Sequence, residues 1–530
     1  MKKSKNSVLM LLLILGMVLA ACASEPDDAS DTTEEGGEGQ NGGDLVITTA
    51  SDAVSLDPTG ANDVPSFDVQ YNIFENLVKQ DENMELEPGL AKSWETVDDH
   101  TWEFKLQEGV TFHDGSAFNA EVVKANLERV MDPDVAAPAA YLIDMISDIE
   151  VVDDYTIRLT TEYPFGSLPA NLTHSTTAMV SQEQIEEDYT AMEQGEEPGS
   201  VINQHPIGTG YFTFEEWDPG QQIQLTKNED YWDKEALLDS VTFKVVQEDL
   251  TRIAELETGE SHITNPLSPS DIEQVESADD LSVDRQGSVS LDYIGFNMEK
   301  EPFDDERVRR AISMAVDKEQ IVEGIYNGVG TPAVGPLAPN VFGYDEELDG
   351  IEYDPEAAQE LLAEAGYENG FSTTIWTNDS RERVDLATNV QSQLEEIGVD
   401  VDIEVLEWGA YIEQTGNGDH DMFVLGWSNS TADADIGLYP LFHSDNVGVP
   451  GNRTYIQDDE IDALIDEGRQ ATNEDERLEI YSEAQEKLVE TAPMIYTLHQ
   501  EYLLGVREEV KGLTQLPTKI LQLKDVYIEE

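Results

Sequence analysis

The feature that most constrains this chain is a stretch near its middle, residues 288–322, which reads SVSLDYIGFNMEKEPFDDERVRRAISMAVDKEQIV. Apolar residues alternate with small or polar ones from Val289 to Phe296, the period of a strand with one buried face. The proline of EKEPF then stops the strand, and one of the two following aspartates can cap a helix. Apolar residues next recur at helical spacing from Val308 to Val316. A new βα unit therefore begins here.

The sequence on the two sides of this stretch differs in pattern. Before it lie short alternating strands and hairpins, such as YFTFEEW and QIQLTKN around Asp218-Pro219-Gly220, with no regular βαβ series. After it, FSTTIWTN, RERVDLATNVQSQLEEIG and VDVDIEVLEW alternate as strand, helix and strand, which is typical of a parallel or mixed α/β sheet. Because 530 residues exceed what one hydrophobic core usually supports, we expect an α/β protein of two or three lobes.

The net charge excludes one broad class of function. The chain has 112 acidic side chains against 29 lysines and arginines, a formal net charge of −83. Such a chain repels nucleic acid, so no nucleic-acid partner is expected. The carboxylates suit a solvated surface in a salty or alkaline exterior, and no aspartate-rich loop has the spacing of an EF-hand.

The N-terminus predicts export. MKKSKNS is basic and VLMLLLILGMVLAA is an apolar run too short for a typical membrane span, so residues 1–21 are expected to be a signal peptide. Leu19-Ala20-Ala21-Cys22 follows and resembles a bacterial lipobox, which implies cleavage before Cys22, lipidation of its thiol and a cell-membrane anchor on the outer face. The alternative is ordinary signal cleavage beside an incidental cysteine. Residues 22–43 are acidic and small, as in a flexible tether.

No catalytic or metal-binding pattern is present in the sequence. Cys22 is the one cysteine, there is no Gly-x-Ser-x-Gly or His-Glu-x-x-His, and the eight histidines include no i, i+4 pair. We therefore expect a binding protein without catalytic residues, metal site or cofactor. A secreted hydrolase is the competing function class.

Five motifs in order resemble one family across essentially the whole chain after Cys22. They are LEPGLAKSWE; GVTFHDGSAFNAEVVKANLERV; PIGTGYFTFEEWDPG with KNEDYW; PFDDERVRRAISMAVDKEQIV; and VLEWGAY followed by VLGW, whose tryptophan comes 19 residues after that of VLEWGAY. The chain resembles the extracellular solute-binding proteins of peptide ABC transporters, a family of dipeptide, oligopeptide, nickel and glutathione binders. This implies a lipoprotein that captures peptides and delivers them to ABC permease subunits. A glutathione or nickel-chelate binder is the alternative.

The resemblance also implies a fold and its division into lobes. The expected fold is α/β and three-lobed, like a periplasmic binding protein of the class II or cluster C type, with mixed sheets and a two-strand hinge at residues 288–297 and 494–499. The expected lobes are lobe I at 44–80, 200–287 and 494–530, lobe II at 81–199, and lobe III at 288–493.

Residues around the second tryptophan are candidates for ligand binding. Trp408 and Trp427 match the family's aromatic wall positions, where flat apolar surfaces stack on peptides of varied sequence; ordinary core packing is the alternative. The family's aspartate for the ligand α-amine falls at Ser430, which carries no charge. Asp433 and Asp435 follow in the same loop and are the nearest candidates for an ammonium partner.

The opposite end of a peptide needs a cation for its carboxylate. The family's arginine falls near Thr377, which cannot supply a charge. Arg381 and Arg383 follow closely and are candidates for bidentate binding, with a role as ordinary surface residues of a helix as the alternative.

Overall fold

The structure, a computed structural model, describes residues 42–448 and 451–529. The expected signal peptide, Cys22 and the tether as far as residue 41 lie outside the described residues. Within the described ranges, no helix combines the length and the apolar content needed to cross a bilayer.

The strands of the described ranges are mostly short. They are β1 Asp44–Thr49, β2 Val78–Gln80, β3 Leu86–Pro88, β4 Ala91–Asp98, β5 Thr101–Leu106, β6 Ile146–Asp153, β7 Thr156–Thr161, β8 Phe212–Asp218, β9 Gln222–Lys227, β10 Ser240–Val245, β11 Ile263–Asn265, β12 Leu281–Gly287, β13 Ser290–Phe296, β14 Thr331–Pro332, β15 Phe371–Asn378, β16 Val399–Leu406, β17 Met422–Ser428, β18 Met494–His499, β19 Glu501–Arg507, β20 Val510–Lys511, β21 Thr514–Gln515, β22 Leu521–Gln522 and β23 Tyr527–Ile528.

The helices of the same ranges lie mainly in the second half of the chain. They are α1 Val64–Ile73, α2 Ala120–Val130, α3 Leu168–Asn171, α4 Gln182–Glu193, α5 Asp249–Thr258, α6 Ile272–Glu276, α7 Glu306–Met314, α8 Lys318–Ile325, α9 Pro355–Glu364, α10 Arg381–Glu396, α11 Trp408–Gly416, α12 Ala434–Phe442, α13 Asp459–Gln470 and α14 Glu474–Thr491.

Three larger sheets organise these elements, which confirms a mixed α/β fold. The strand orders are β12-β19-β11-β1-β10-β9-β8, β14-β18-β13-β17-β15-β16 and β4-β5-β7-β6. In the seven-stranded sheet β1 runs parallel to β10 and β11, and the expected hairpin is present as β8 and β9. Helix α1 contributes Val69 and Ile73 to the same core as Leu45 and Ile47 of β1, so α1 packs on this sheet.

The six-stranded sheet contains the stretch that opened the sequence analysis. All seven residues of β13 are buried. Helix α7 begins after Asp305, whose carboxylate accepts the backbone N–H of Arg307 at 2.9 Å, so the expected cap is confirmed. The helix ends at Met314, and the buried Val316 continues its apolar face beyond that end. The expected strand, helix and strand after it are β15, α10 and β16, with β15 parallel to β16.

The chain passes between the two largest sheets at two adjacent places. Strand β12 leads into β13, and β18 leads into β19. The two crossings touch, since the N–H of Ser288 donates to the carbonyl of Gln500 at 2.9 Å. Strand β18, Met494–His499, pairs with β13, so the second crossing comes after His499 and later than the boundary expected at residue 494.

Candidate ligand-binding cleft

A cavity of about 280 Å³ lies where β17 of the six-stranded sheet approaches the beginning of α1. Its walls come from the start of α1, from the end of β17 and the loop after it, from Tyr141 and His174, and from Thr518 and Ile520. The cavity therefore brings together segments that are far apart in sequence.

Trp427 and Ser430 both line this cavity. Trp427 is partly buried, and its indole N–H donates to the carbonyl of Ile436 at 2.8 Å, which fixes the ring against the following helix. The rest of the ring packs beside two hydrophobic cores. Trp427 is thus both a wall of the cavity and a packing residue.

One edge of β17 is open beside this wall. Strand β13 pairs with β17 along its whole length, from Met422 to Ser428. On the other edge β15 reaches only Met422 and Phe423, and no strand in the described ranges pairs with Leu425 to Ser428 there. Unpaired strand edges can accept an extended backbone through main-chain hydrogen bonds, and this short edge leaves such groups without a strand partner.

Trp408 and Arg383 form a second group beside the same strand. Trp408 is the first residue of α11 and is 45% exposed, with the Arg383 guanidinium over its ring at 5.5 Å from the centroid. A Cβ atom on Gly426 would lie 3.7 Å from Nη2 of Arg383 and 2.6 Å from Oδ1 of Asp292. Glycine at 426 therefore permits this close approach, and Arg383 lies next to the residue that precedes Trp427.

The other candidate arginine lies away from this group. The Arg381 side chain is 89% exposed, and its Nε is 3.7 Å from Oδ2 of Asp385 one turn further along α10. An exposed pair of this kind contributes little to stability. Of the two arginines, only Arg383 is placed beside β17.

Asp433 and Asp435 are buried and already have internal partners. Asp433 accepts from Nη2 of Arg477 at 2.7 and 2.9 Å and from Ser167 Oγ at 3.1 Å. Asp435 Oδ1 lies 2.6 Å from Nε of Arg469. Neither aspartate lines the cavity beside Trp427. Both expected ammonium partners therefore pair with buried arginines of this chain.

The sequence patterns did not identify Arg469 and Arg477, nor the cavity residues His174 and Asp63. Burial opposes the charge of Arg477, but the adjacent Asp433 carboxylate raises the pKa of its guanidinium above the ordinary value. His174 accepts the N–H of Thr176 through Nδ1, and burial lowers its pKa to about 4, so the ring is neutral. Asp63 also lines the cavity, just before α1. Asp63 has the residue type and position of a helix cap in the sequence, but its place on the cavity wall could not be predicted from there.

Comparison with known proteins finds a family model and relatives that match most of the chain. The family model described as bacterial extracellular solute-binding proteins, family 5 middle, matches residues 85–449. The glutathione-binding protein GsiB of Pectobacterium atrosepticum is 33% identical over 497 residues, which is 92% of this chain and 94% of that protein.

Solved structures extend the likeness to the fold. The periplasmic binding protein DppA of Helicobacter pylori, in complex with the peptide STSA, is 31% identical with a TM-score of 0.76, covering 93% of this chain and 99% of that one. HbpA2 of Haemophilus parasuis is 29% identical with a TM-score of 0.83, covering 92% and 100%.

Proposed function

The chain belongs to the bacterial extracellular solute-binding proteins of family 5, and we propose that it captures short peptides outside the cytoplasm for an ABC importer. In this function it is a receptor and not an enzyme, and permease subunits are its protein partners. The observation that carries the proposal is the open edge of β17 from Leu425 to Ser428, directly beside the Trp427 wall. An unpaired strand edge binds the backbone of a peptide, and an aromatic wall offers it an apolar surface, so neither requires particular side chains in the ligand.

The size of the cavity favours a short ligand. Ligand pockets typically measure roughly 300 to 1,000 Å³, and a cavity of about 280 Å³ stands at the lower end of that range. A dipeptide or tripeptide suits this volume. Glutathione is a peptide of this size, and the similarity to a glutathione-binding protein supports it as a candidate.

Arg383 is proposed to bind the ligand carboxylate. Its guanidinium is partly exposed, stacks on Trp408 and forms no ion pair with a carboxylate in the described part of the chain. Nη1 of Arg383 donates to Oδ1 of Asn378 at 3.2 Å, and the other N–H groups of a planar guanidinium can bind a carboxylate through two parallel hydrogen bonds. The ligand would then lie along β17, with its carboxylate near Gly426 and its body against Trp427.

The lobes and their closure form part of the proposal. The paired crossings at Ser288 and Gln500 are short and lie side by side, as in a hinge that lets the two larger sheets close about a ligand. Lobes I, II and III would each be organised around one of the three larger sheets. Lipidation of Cys22 would hold this body at the membrane beside its permease.

Calorimetric titration tests the function directly. Glutathione, the tetrapeptide Ser-Thr-Ser-Ala and nickel-histidine are titrated against the parent protein and Trp427→Ala, with Trp217→Ala on β8 as the control. Peptide binding by the parent is expected, weakened by about 1 to 3 kcal/mol in Trp427→Ala and unchanged in the control. Binding of nickel-histidine alone would favour the nickel-chelate alternative, for which the described residues offer no cluster of three metal-binding side chains.

A further inference from the structure

The cavity beside Trp427 has a single formal charge on its walls. Among the described residues that line it, Asp63 is the only aspartate, glutamate, lysine or arginine. Asp63 immediately precedes α1 and is partly exposed. Its Oδ1 accepts the N–H of Ser66 at 3.0 Å, and its Oδ2 accepts the Ser66 hydroxyl at 3.1 Å. Because both bonds come from one residue, the carboxylate is held in a fixed position at the cavity wall.

The Asp63 carboxylate has no ion-pair partner within the part of the chain that the structure describes. No lysine or arginine of the described ranges lies within 4.0 Å of the Asp63 carboxylate, the limit for an ion pair. Lys519 stands between two lining residues, but its Nζ lies 5.4 Å from the centroid of the Tyr502 ring. His174 on the same wall is neutral, because burial lowers its pKa to about 4. Among the described residues that line the cavity, none is a lysine or arginine that could pair with the Asp63 carboxylate.

The Asp63 carboxylate can still accept hydrogen bonds. An ionised carboxylate has about four acceptor positions, and the two bonds from Ser66 use half of them. The rings of Phe67, Tyr141 and Trp427 line the same cavity, and aromatic faces attract cations. A carboxylate with spare acceptors among aromatic rings is suited to an ammonium group.

We propose that Asp63 binds the ammonium group of the ligand, from the α1 wall of the cavity. This inference rests on the proposed function and adds to it the residue that selects for a free amine. It also accounts for the neutral side chain of Ser430 and the internal pairing of Asp433 and Asp435. Withdrawing either aspartate to meet a ligand would leave a buried arginine without its partner, at a large cost in free energy.

Asp63→Asn tests the assignment without removing the helix cap, since asparagine caps helices about as well as aspartate. Asp354→Asn is the matched control, because Asp354 caps α9 by accepting the N–H of Ala357 and does not line the cavity. The probes are glutathione and Ser-Thr-Ser-Ala, each with a free and an N-acetylated amine, titrated by calorimetry. We expect Asp63→Asn to weaken the free-amine probes about 10- to 100-fold and the acetylated ones less than about 3-fold. Asp354→Asn should match the parent.

A second variant keeps the test decisive. In the double variant Asp63→Asn with Ser430→Asp, a carboxylate returns to the cavity from its other wall, so preference for the free amine should recover. Equal weakening of free and acetylated probes, or no weakening in a folded Asp63→Asn protein, overturns the role of Asp63 while peptide capture stands. If the parent binds neither probe nor any of a pool of free-amine peptides of two to five residues, the proposed function fails and the inference falls with it.

Discussion

Asp433 and Arg477 form a buried ion pair that ties the loop after β17 to helix α14, with Asp433 Oδ1 and Oδ2 accepting from Nη2 of Arg477 at 2.7 and 2.9 Å. The Ser167 hydroxyl donates to the same carboxylate at 3.1 Å and brings in a third segment of the chain. The loop that carries Ser430 is therefore fixed to α14 and to Ser167 by a buried ion pair whose residues do not line the cavity beside Trp427.

Asp433→Asn should destabilise the protein by about 3 to 5 kcal/mol, because it leaves the buried Arg477 charge without its partner. Urea unfolding measures the change. Asp475→Asn, on an exposed aspartate of the first turn of α14, is the control and should cost less than about 1 kcal/mol. Equal stability of Asp433→Asn and the parent would show that the pair is energetically neutral.

The part of the fold that could be predicted is the part whose signal is local. Strand β13 and helix α7 follow from apolar spacing and from the cap at Asp305, each within a few neighbouring residues. The role of Asp433 does not follow, because its partner Arg477 is 44 positions away on a helix whose charged residues look solvent-facing in the sequence.

The candidate site also combines residues that could be predicted from local sequence with residues that could not. Trp427 and Ser430 are close in sequence, so their shared place at one cavity was expected. The Asp63 carboxylate caps α1, a local role, and only the folded chain shows that Asp63 also lines the same cavity as Trp427. The sequence does not distinguish Arg381 from Arg383. Arg383 is two positions later on α10 and therefore lies on a different side of the helix, where its guanidinium approaches Gly426.

Lys318 should make stability rise with pH on the alkaline side. Its Nζ donates to the carbonyl of Ala333 at 2.7 Å, and burial lowers its pKa to about 8, below the ordinary value of 10.5. Between these two values the unfolded chain binds more protons than the folded one, so stability increases as pH rises through that window. The difference in unfolding free energy between the parent and Lys318→Met should grow in the parent's favour from pH 7.5 to 10.5. A constant difference would contradict the assigned shift.

Added salt should stabilise the fold. A net charge of −83 produces self-repulsion, and ions screen it over about 10 Å at 0.1 M salt. The melting temperature measured by calorimetry should rise from low salt to 1 M NaCl. Sodium sulfate strengthens apolar burial as well, so NaCl is the salt to use. A flat or falling trend would mean that the acidic excess has no energetic effect.

Cys22→Ser should release the protein from membranes. If residues 1–21 are a signal peptide and Cys22 is lipidated, as the lipobox-like Leu19-Ala20-Ala21-Cys22 predicts, the lipid on that thiol would hold the protein at the membrane. Fractionation of cells producing each form should find the parent with membranes and the serine variant in the soluble fraction. A serine variant that stays with membranes after a salt wash would show that lipid on Cys22 is not the anchor.

Arg383→Gln should separate ligands by their carboxyl end. Removing the guanidinium beside Gly426 deletes a charge-assisted contact, so peptides with a free carboxylate should lose about 2 to 4 kcal/mol of binding free energy. Their C-terminal amides, which carry no charge there, should be affected little. Arg381→Gln is the matched control, since it removes the same charge from the same helix at a side chain that is 89% exposed. Calorimetry with Ser-Thr-Ser-Ala and its amide measures all four combinations. If the two variants weaken the free peptide equally, the effect is long-range electrostatics from α10, and Arg383 does not contact the carboxylate.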